Sequence, residues 1–212
     1  FIGVAFCAFA NMATSAASRF FSFFGIEYNV DFGETPKGFF GFLLCLLSTV
    51  ITPALIEEFA FRGIVLGSLK KYGEGFAVLV SSILFGLMHG NFEQIPFAFL
   101  VGLVLGLITV KTDSILIACA VHGTNNLVSV IFDFIPSGIS QAAQNIMYLI
   151  FLLICLTLGI LALALSEKSN EMFKLKKDSC ESKLKERFKW FFTSPVIIIF
   201  IVICIFESLA YF

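Results

Sequence analysis

The sequence predicts an all-α polytopic transmembrane helix bundle, a single integral-membrane domain over residues 1–212. Three observations predict it. Hydrophobic residues make up 58% of the chain and charged residues 14%, against about 25% charged in an average soluble domain. With a mean hydropathy of +0.97, this is more apolar surface than one soluble core can hide, so lipid is the expected solvent. The apolar residues fall in long runs without strict apolar/polar alternation, which disfavours a membrane β-barrel. A net charge of −1 gives no global basic signal for nucleic acid.

Seven apolar segments follow in order, most of them near the roughly 20 residues a spanning helix needs. The first, 1–24, is interrupted by Asn11, Ser15, Ser18 and Arg19 and is the weakest. It opens at Phe1 inside an apolar stretch, so the chain reads as missing its N-terminus. The second, 38–60, ends in Glu57 and Glu58. The third, 75–92, is short and holds Gly86 and Gly90. The fourth, 94–111, carries Gly102 and Gly106, a small-xxx-small pair suited to close helix packing. The fifth, 114–132, contains His122 and Asn126; the sixth is 145–165; the seventh, 194–212, contains Glu207, read equally as functional or interfacial. Six cysteines without a C-x-x-C pair, five of them in apolar runs, read as small buried hydrophobes rather than a disulfide or zinc framework.

Basic residues sort the connections. Lys70 and Lys71, then Lys111, then the stretch 166–193 (Lys168, Lys174, Lys176, Lys177, Lys183, Lys185, Arg187 and Lys189) alternate with connections that hold Glu27, Asp31, Glu34 and Lys37, then Glu93, then Asp133. Seven antiparallel spans fit that alternation. The positive-inside rule places the basic connections in the cytoplasm. The 166–193 stretch reads as a solvated topogenic loop, with substrate or anionic-lipid docking as the alternative.

Polar residues inside such spans are expensive, about 2.5–3.5 kcal/mol for an ionised group on the lenient insertion scale, and mark candidate sites. Glu57 lies sixteen residues before the turn signal at Gly73 and His89 sixteen after it, so an antiparallel hairpin sets both up to roughly 24 Å above the turn. His122 and Asn126 follow the next turn, near Thr112, by ten and fourteen residues, or roughly 15–21 Å. All four are expected in one layer. Glu58 and Arg62, spaced i, i+4 with the acid first, read as an architectural ion pair. Glu57, about 100° away around the helix, is left for chemistry as a general base toward water. His89, one turn after Phe85, is read as holding or co-activating that water, with Phe85 as apolar wall. His122 and Asn126 share a face and suit a developing oxyanion, while Asn125 reads as a helix–helix hydrogen-bonding group. Each histidine taken alone is as well read as a satisfied interhelical group; the shared depth with Glu57 argues for a site.

Glu57-Glu58-Phe59-Ala60-Phe61-Arg62 resembles the E-E-x-x-x-R motif of the CAAX protease and bacteriocin-processing (CPBP, or Abi) membrane family. Phe85-Gly86-Leu87-Met88-His89 resembles its F-x-x-x-H motif, and His122-Gly123-Thr124-Asn125-Asn126 its H-x-x-x-N motif. The three stand in the family's order within residues 38–135. The resemblance implies an all-α fold of eight spans and an intramembrane endopeptidase similar to the Rce1-type CAAX prenyl endopeptidases. Glu57 and His89 would activate water, His122 and Asn126 would support the oxyanion, and Glu58 and Arg62 would fill the remaining polar positions. The composition, rich in Phe, Ile and Lys, suggests a bacterial cytoplasmic-membrane member, for which a peptide, bacteriocin leader or membrane-protein tail fits better as substrate than a prenylated protein. No cofactor is expected. Zinc held by His89, His122 and a Glu is the alternative chemistry, although no H-E-x-x-H helix is present. A non-catalytic immunity or regulatory partner is the alternative outside enzymes, and a transporter is disfavoured because no pair of broken helices recurs in two halves. The expected partners are a peptide or membrane-associated protein and the bilayer; the oligomeric state is not legible.

Overall fold

A computed structural model of the chain describes residues 1–23, 37–92, 94–135, 138–165, 174–176 and 182–209. Among these residues the fold is helical without strands: α1 (Ile2–Phe23), α2 (Gly38–Tyr72), α3 (Glu74–Met88), α4 (Gln94–Thr112), α5 (Ile115–Asp133), α6 (Gln141–Leu165), α7 (Leu184–Phe192) and α8 (Pro195–Leu209). All seven apolar segments are helical over most of their described residues; the third leaves the helix after Met88. Glu27, Asp31, Glu34, Glu93, Lys168, Lys177, Cys180 and the end of the seventh segment lie outside the described residues. Helices α2, α4, α5 and α6 are long and apolar enough to cross a membrane, and α7 with α8, bent by 69°, would make a fifth span if counted as one. The other apolar helices, Ile2–Ala16 within α1 and Glu74–Met88, are shorter. The architecture is an all-α membrane bundle.

Two differences from the sequence reading bear on the site. First, α2 does not end near residue 60 but runs to Tyr72. Arg62, Lys70 and Lys71 are therefore on the helix. At about 1.5 Å per residue it is roughly 50 Å long, well beyond a hydrocarbon core of about 30 Å. It contains two π-helical stretches, Leu46–Ile51 and Phe59–Leu66. Such stretches leave helix carbonyls without their usual partners, and neighbouring helices supply donors here. Pro53 has no N–H for the carbonyl four residues back, that of Thr49; Asn126 Nδ2 of α5 donates to it at 2.9 Å. Ser81 Oγ of α3 donates to Phe61 O at 2.8 Å. Second, part of the stretch 166–193 read as a solvated loop is the helix α7. Its Lys, Glu and Arg are good helix formers, and its aromatic side packs on α3: the Phe76 ring lies edge-on to Phe188 at 5.1 Å and to Phe191 at 6.3 Å.

The turns fall where the punctuation residues put them. Gly73, at φ +112, joins α2 to α3 in a conformation few L-residues tolerate, and Asp113 joins α4 to α5. Lys70 Nζ bonds Asp113 Oδ1 at 2.8 Å, so both turns lie at one end of the bundle. That hydrogen bond holds the Asp113 carboxyl below the ordinary carboxylate range. Lys111 Nζ donates to the Lys174 carbonyl, and Arg187 donates to Tyr72 O, which gathers the basic connections at this same end. Within the bundle, α3 and α4 pack backbone to backbone. A Cβ on Gly102 would lie 3.1 Å from Ser82 Cα, and one on Gly106 3.1 Å from Val78 Cγ1. Phe61, Phe76, Val80, Leu84, Phe85 and Ala98 form the apolar core beside them.

Candidate active site

Helix α2 brings Glu58 and Arg62 inward on one face. Both are sealed from solvent, at 0% and 1% exposure, and Arg62 Nη1 donates to Glu58 Oε1 at 2.8 Å. Arg62 Nη2 donates to the Gly102 carbonyl at 3.2 Å. The guanidinium lies over the Phe85 ring, with Cζ 4.2 Å from the centroid. The absent side chain at Gly102 lets α4 come close enough for its carbonyl to meet this buried cation. The architectural ion pair expected from the i, i+4 spacing is present.

Glu58 also has a partner that the spacing did not show. His122 Nδ1 on α5 lies 2.8 Å from the same Oε1. An ionised carboxylate only accepts, so Nδ1–H is the donor and Nε2 is left for the other side of the ring. That other side faces Glu57: His122 Nε2 is 4.0 Å from Glu57 Oε2. One imidazole therefore stands between two adjacent glutamates. At 4.0 Å the second contact is an ion-pair distance and too long for a direct hydrogen bond. Groups this far apart are commonly joined through a water about 2.8 Å from each. The Glu57 side chain is 23% exposed, yet its Oε2 is a buried atom without a hydrogen-bond partner among the described residues, as are Glu58 Oε2 and Arg62 Nε. Buried polar atoms of this kind are normally satisfied by ordered water.

His89 sits at the end of α3 rather than within it. Its Nδ1 is 2.9 Å from Phe85 O; a carbonyl only accepts, so Nδ1 carries the proton and a neutral His89 has its lone pair on Nε2. The Phe85 ring lies between the two imidazoles, edge-on to His89 at 5.1 Å and to His122 at 5.8 Å between centroids. Phe85, itself 1% exposed, is the apolar group that links His89 to the cluster of Glu57, Glu58, Arg62 and His122. Asn126 faces α2 from one turn beyond His122, but its amide is engaged by the Thr49 carbonyl, and its Oδ1 accepts from Asn125 Nδ2 at 3.3 Å. Asn125 Oδ1 in turn accepts from Asn11 Nδ2 of α1 at 3.3 Å, the helix–helix role expected for it.

Two residues of the α3–α4 connection were missed by the sequence reading. Asn91, only 3% exposed, donates from Nδ2 to the His89 carbonyl at 3.2 Å and accepts from Gln94 N at 2.7 Å. It caps α4 and ties that cap to the His89 turn. Asn followed three residues later by Gln is a capping signature that could have revealed it. Gly90, at φ +62, makes the turn, and a Cβ there would lie 3.1 Å from Glu207 Oε2 of α8. Among the described residues, no three His, Cys, Asp or Glu side chains converge as a metal-ligand set.

Residues 39–128 match the family model described as type II CAAX prenyl endopeptidase Rce1-like. The matched segment contains Glu57, Glu58, Arg62, Phe85, His89, His122 and Asn126. The chain is similar to "Membrane-embedded CAAX protease MroQ" of Staphylococcus aureus (strain USA300), 32% identical over 114 residues that cover 49% of this chain and 46% of that protein. It is also similar to "Putative membrane peptidase YdiL" of Bacillus subtilis (strain 168), 28% identical over 95 residues, 44% of this chain and 38% of the relative. The chain thus spans less than half the length of the curated relatives it matches. No solved structure matches it.

Proposed function

We propose that this chain, whose residues 39–128 match an Rce1-like family model, is a membrane-embedded endopeptidase. It hydrolyses a peptide bond near the C-terminus, or in the leader, of a membrane-associated peptide or protein. Glu57 takes a proton from water as the water oxygen attacks the scissile carbonyl. His89, with its lone pair on Nε2, orients that water or shares the proton. The carbonyl π electrons move onto oxygen, where donors from His122 and Asn126 meet the developing charge. Because Nδ1–H is donated to Glu58, His122 offers Nε2–H only as the imidazolium, a cation held between Glu57 and Glu58; with one amide hydrogen on Thr49 O, Asn126 retains the other. Collapse of the tetrahedral intermediate breaks the C–N bond, and the departing amine takes the proton back from Glu57. The basic end of the bundle faces the cytoplasm of a bacterial cell on this reading.

The observation that carries the reading is the unequal engagement of two neighbouring carboxylates. Glu58 is held by Arg62 and His122, while Glu57 Oε2, 4.0 Å from His122 Nε2, is buried without a protein partner. The first is spent on architecture and the second is placed to bind water. The test is cleavage of quenched-fluorescent peptides by the purified, folded chain in lipid. Cleavage that persists with a zinc chelator and disappears in Glu57→Gln is the expected result. Loss of activity on chelation, restored by zinc, would replace the mechanism, and a Glu57→Gln variant with full activity would end it.

A further inference from the structure

Helix α7 is not used by the proposed reaction, and its chemistry points outward. Its inner side is occupied: Phe188 and Phe191 pack on Phe76 of α3, and Arg187 bonds the Tyr72 and Ser182 carbonyls. The opposite side carries Lys185 and Lys189, spaced i, i+4 so that both ammonium groups leave the same face. On the flank stands Trp190, 63% exposed, an amphipathic ring of the kind that settles at the level of lipid headgroups. The helix meets α8 at 69°. If α8 crosses with the usual tilt of about 20° from the bilayer normal, the 69° bend sets α7 between about 49° and 89° from that normal, on the membrane-plane side of the diagonal. It lies at the end of the bundle where Lys70, Lys111, Lys174 and Arg187 make their contacts.

We infer that α7 is an interfacial helix that docks on anionic phospholipid headgroups through Lys185 and Lys189, with Trp190 seated at headgroup depth. Because the inner face grips the α2–α3 turn, the docked helix also braces the hairpin that holds Glu57 and His89. The inference does not rest on hydrolysis, and its test does not read it.

Trp190 is the chain's only tryptophan, so intrinsic fluorescence of the full chain reports on α7 alone. The chain is reconstituted into phosphatidylcholine vesicles with and without phosphatidylglycerol, each carrying a nitroxide quencher either at the headgroup level or at mid-chain. The expected result is a blue shift and at least about a twofold rise in headgroup-level quenching when phosphatidylglycerol is present, reduced by high salt as screening requires. Lys185→Gln/Lys189→Gln is expected to lose the phosphatidylglycerol response while its thermal unfolding midpoint stays that of the parent chain. Identical emission and quenching in the two lipid compositions would overturn the inference. So would a full response in the double variant, or quenching by the mid-chain nitroxide alone.

Discussion

Glu57 and Glu58 are adjacent and chemically identical, yet replacing each with Gln should damage different properties of the molecule. Glu58→Gln removes the negative charge that the buried Arg62 and His122 share through one oxygen at 2.8 Å each. The remaining amide oxygen still accepts a hydrogen bond, but a guanidinium at 1% exposure is left without the carboxylate it contacts. Breaking a buried ion pair from one side costs about 3–5 kcal/mol. For a chain of this size, each kcal/mol moves the unfolding midpoint by about 2–4 °C, so a fall of roughly 6–20 °C is expected. Glu57→Gln removes no hydrogen bond from Oε2, which has no protein partner. Its midpoint should stay within about 2–4 °C of the parent, corresponding to about 1 kcal/mol. Its peptide cleavage should nevertheless fall by about 10²–10⁴-fold, the usual contribution of a positioned general base. The assay is a thiol-reactive-dye melt beside initial rates on the same purified samples. The reasoning is refuted if Glu57→Gln melts as early as Glu58→Gln, or if Glu58→Gln keeps the parent midpoint.

Asn91→Asp keeps an acceptor for Gln94 N but replaces the donor to the His89 carbonyl; kcat should drop by about tenfold, roughly 1.4 kcal/mol, with KM little changed, whereas Asn91→Ala should in addition lose a helix cap worth about 1 kcal/mol. Asn126→Ala strips the donor from the Thr49 carbonyl that Pro53 leaves without its helical N–H; Pro53→Ala in the same chain should recover part of the loss, read as a coupling of at least about 0.5 kcal/mol in a double-mutant cycle of melts. Gly102→Ala sets a methyl group 3.1 Å from Ser82 Cα and should destabilise by about 1–3 kcal/mol through overpacking, which the same dye melt measures. The Lys70–Asp113 bond lowers the acid's folded pKa, so its stabilisation is present above the unfolded value near pH 3.9 and is lost as pH falls through the folded one; the small midpoint difference between parent and Asp113→Asn at pH 6 should therefore vanish in strong acid.

Local spacing made part of the site legible. Glu58 and Arg62 pair at i, i+4, Gly73 makes the turn that its flanking spans require, and Gly102 and Gly106 allow the close α3–α4 approach that small residues at that interval predict. What spacing missed depends on tertiary contact. The bond from His122 to Glu58 joins residues 64 apart in sequence, and nothing in the pattern of either helix says which of two neighbouring glutamates the ring will choose. The bond from Asn126 to the Thr49 carbonyl joins residues 77 apart and was not legible either, because it depends on α5 packing against the π-helical stretch Leu46–Ile51. Helix α7 was hidden because five of the seven residues from Lys183 through Lys189 are charged, which reads as solvation until Phe188 and Phe191 find Phe76. Asn91, two residues after His89, carries a usable capping signal in the Gln three residues later.

Single-turnover cleavage of a peptide in oxygen-18 water, followed by mass spectrometry of product and protein, tests the central claim most directly. Water attacking the scissile carbonyl under Glu57 predicts one heavy oxygen in each newly formed product carboxylate and none in the protein. Heavy oxygen in the Glu57 side chain, with an unlabelled product, would mean that Glu57 attacks the peptide itself, and the account of an activated water would be wrong.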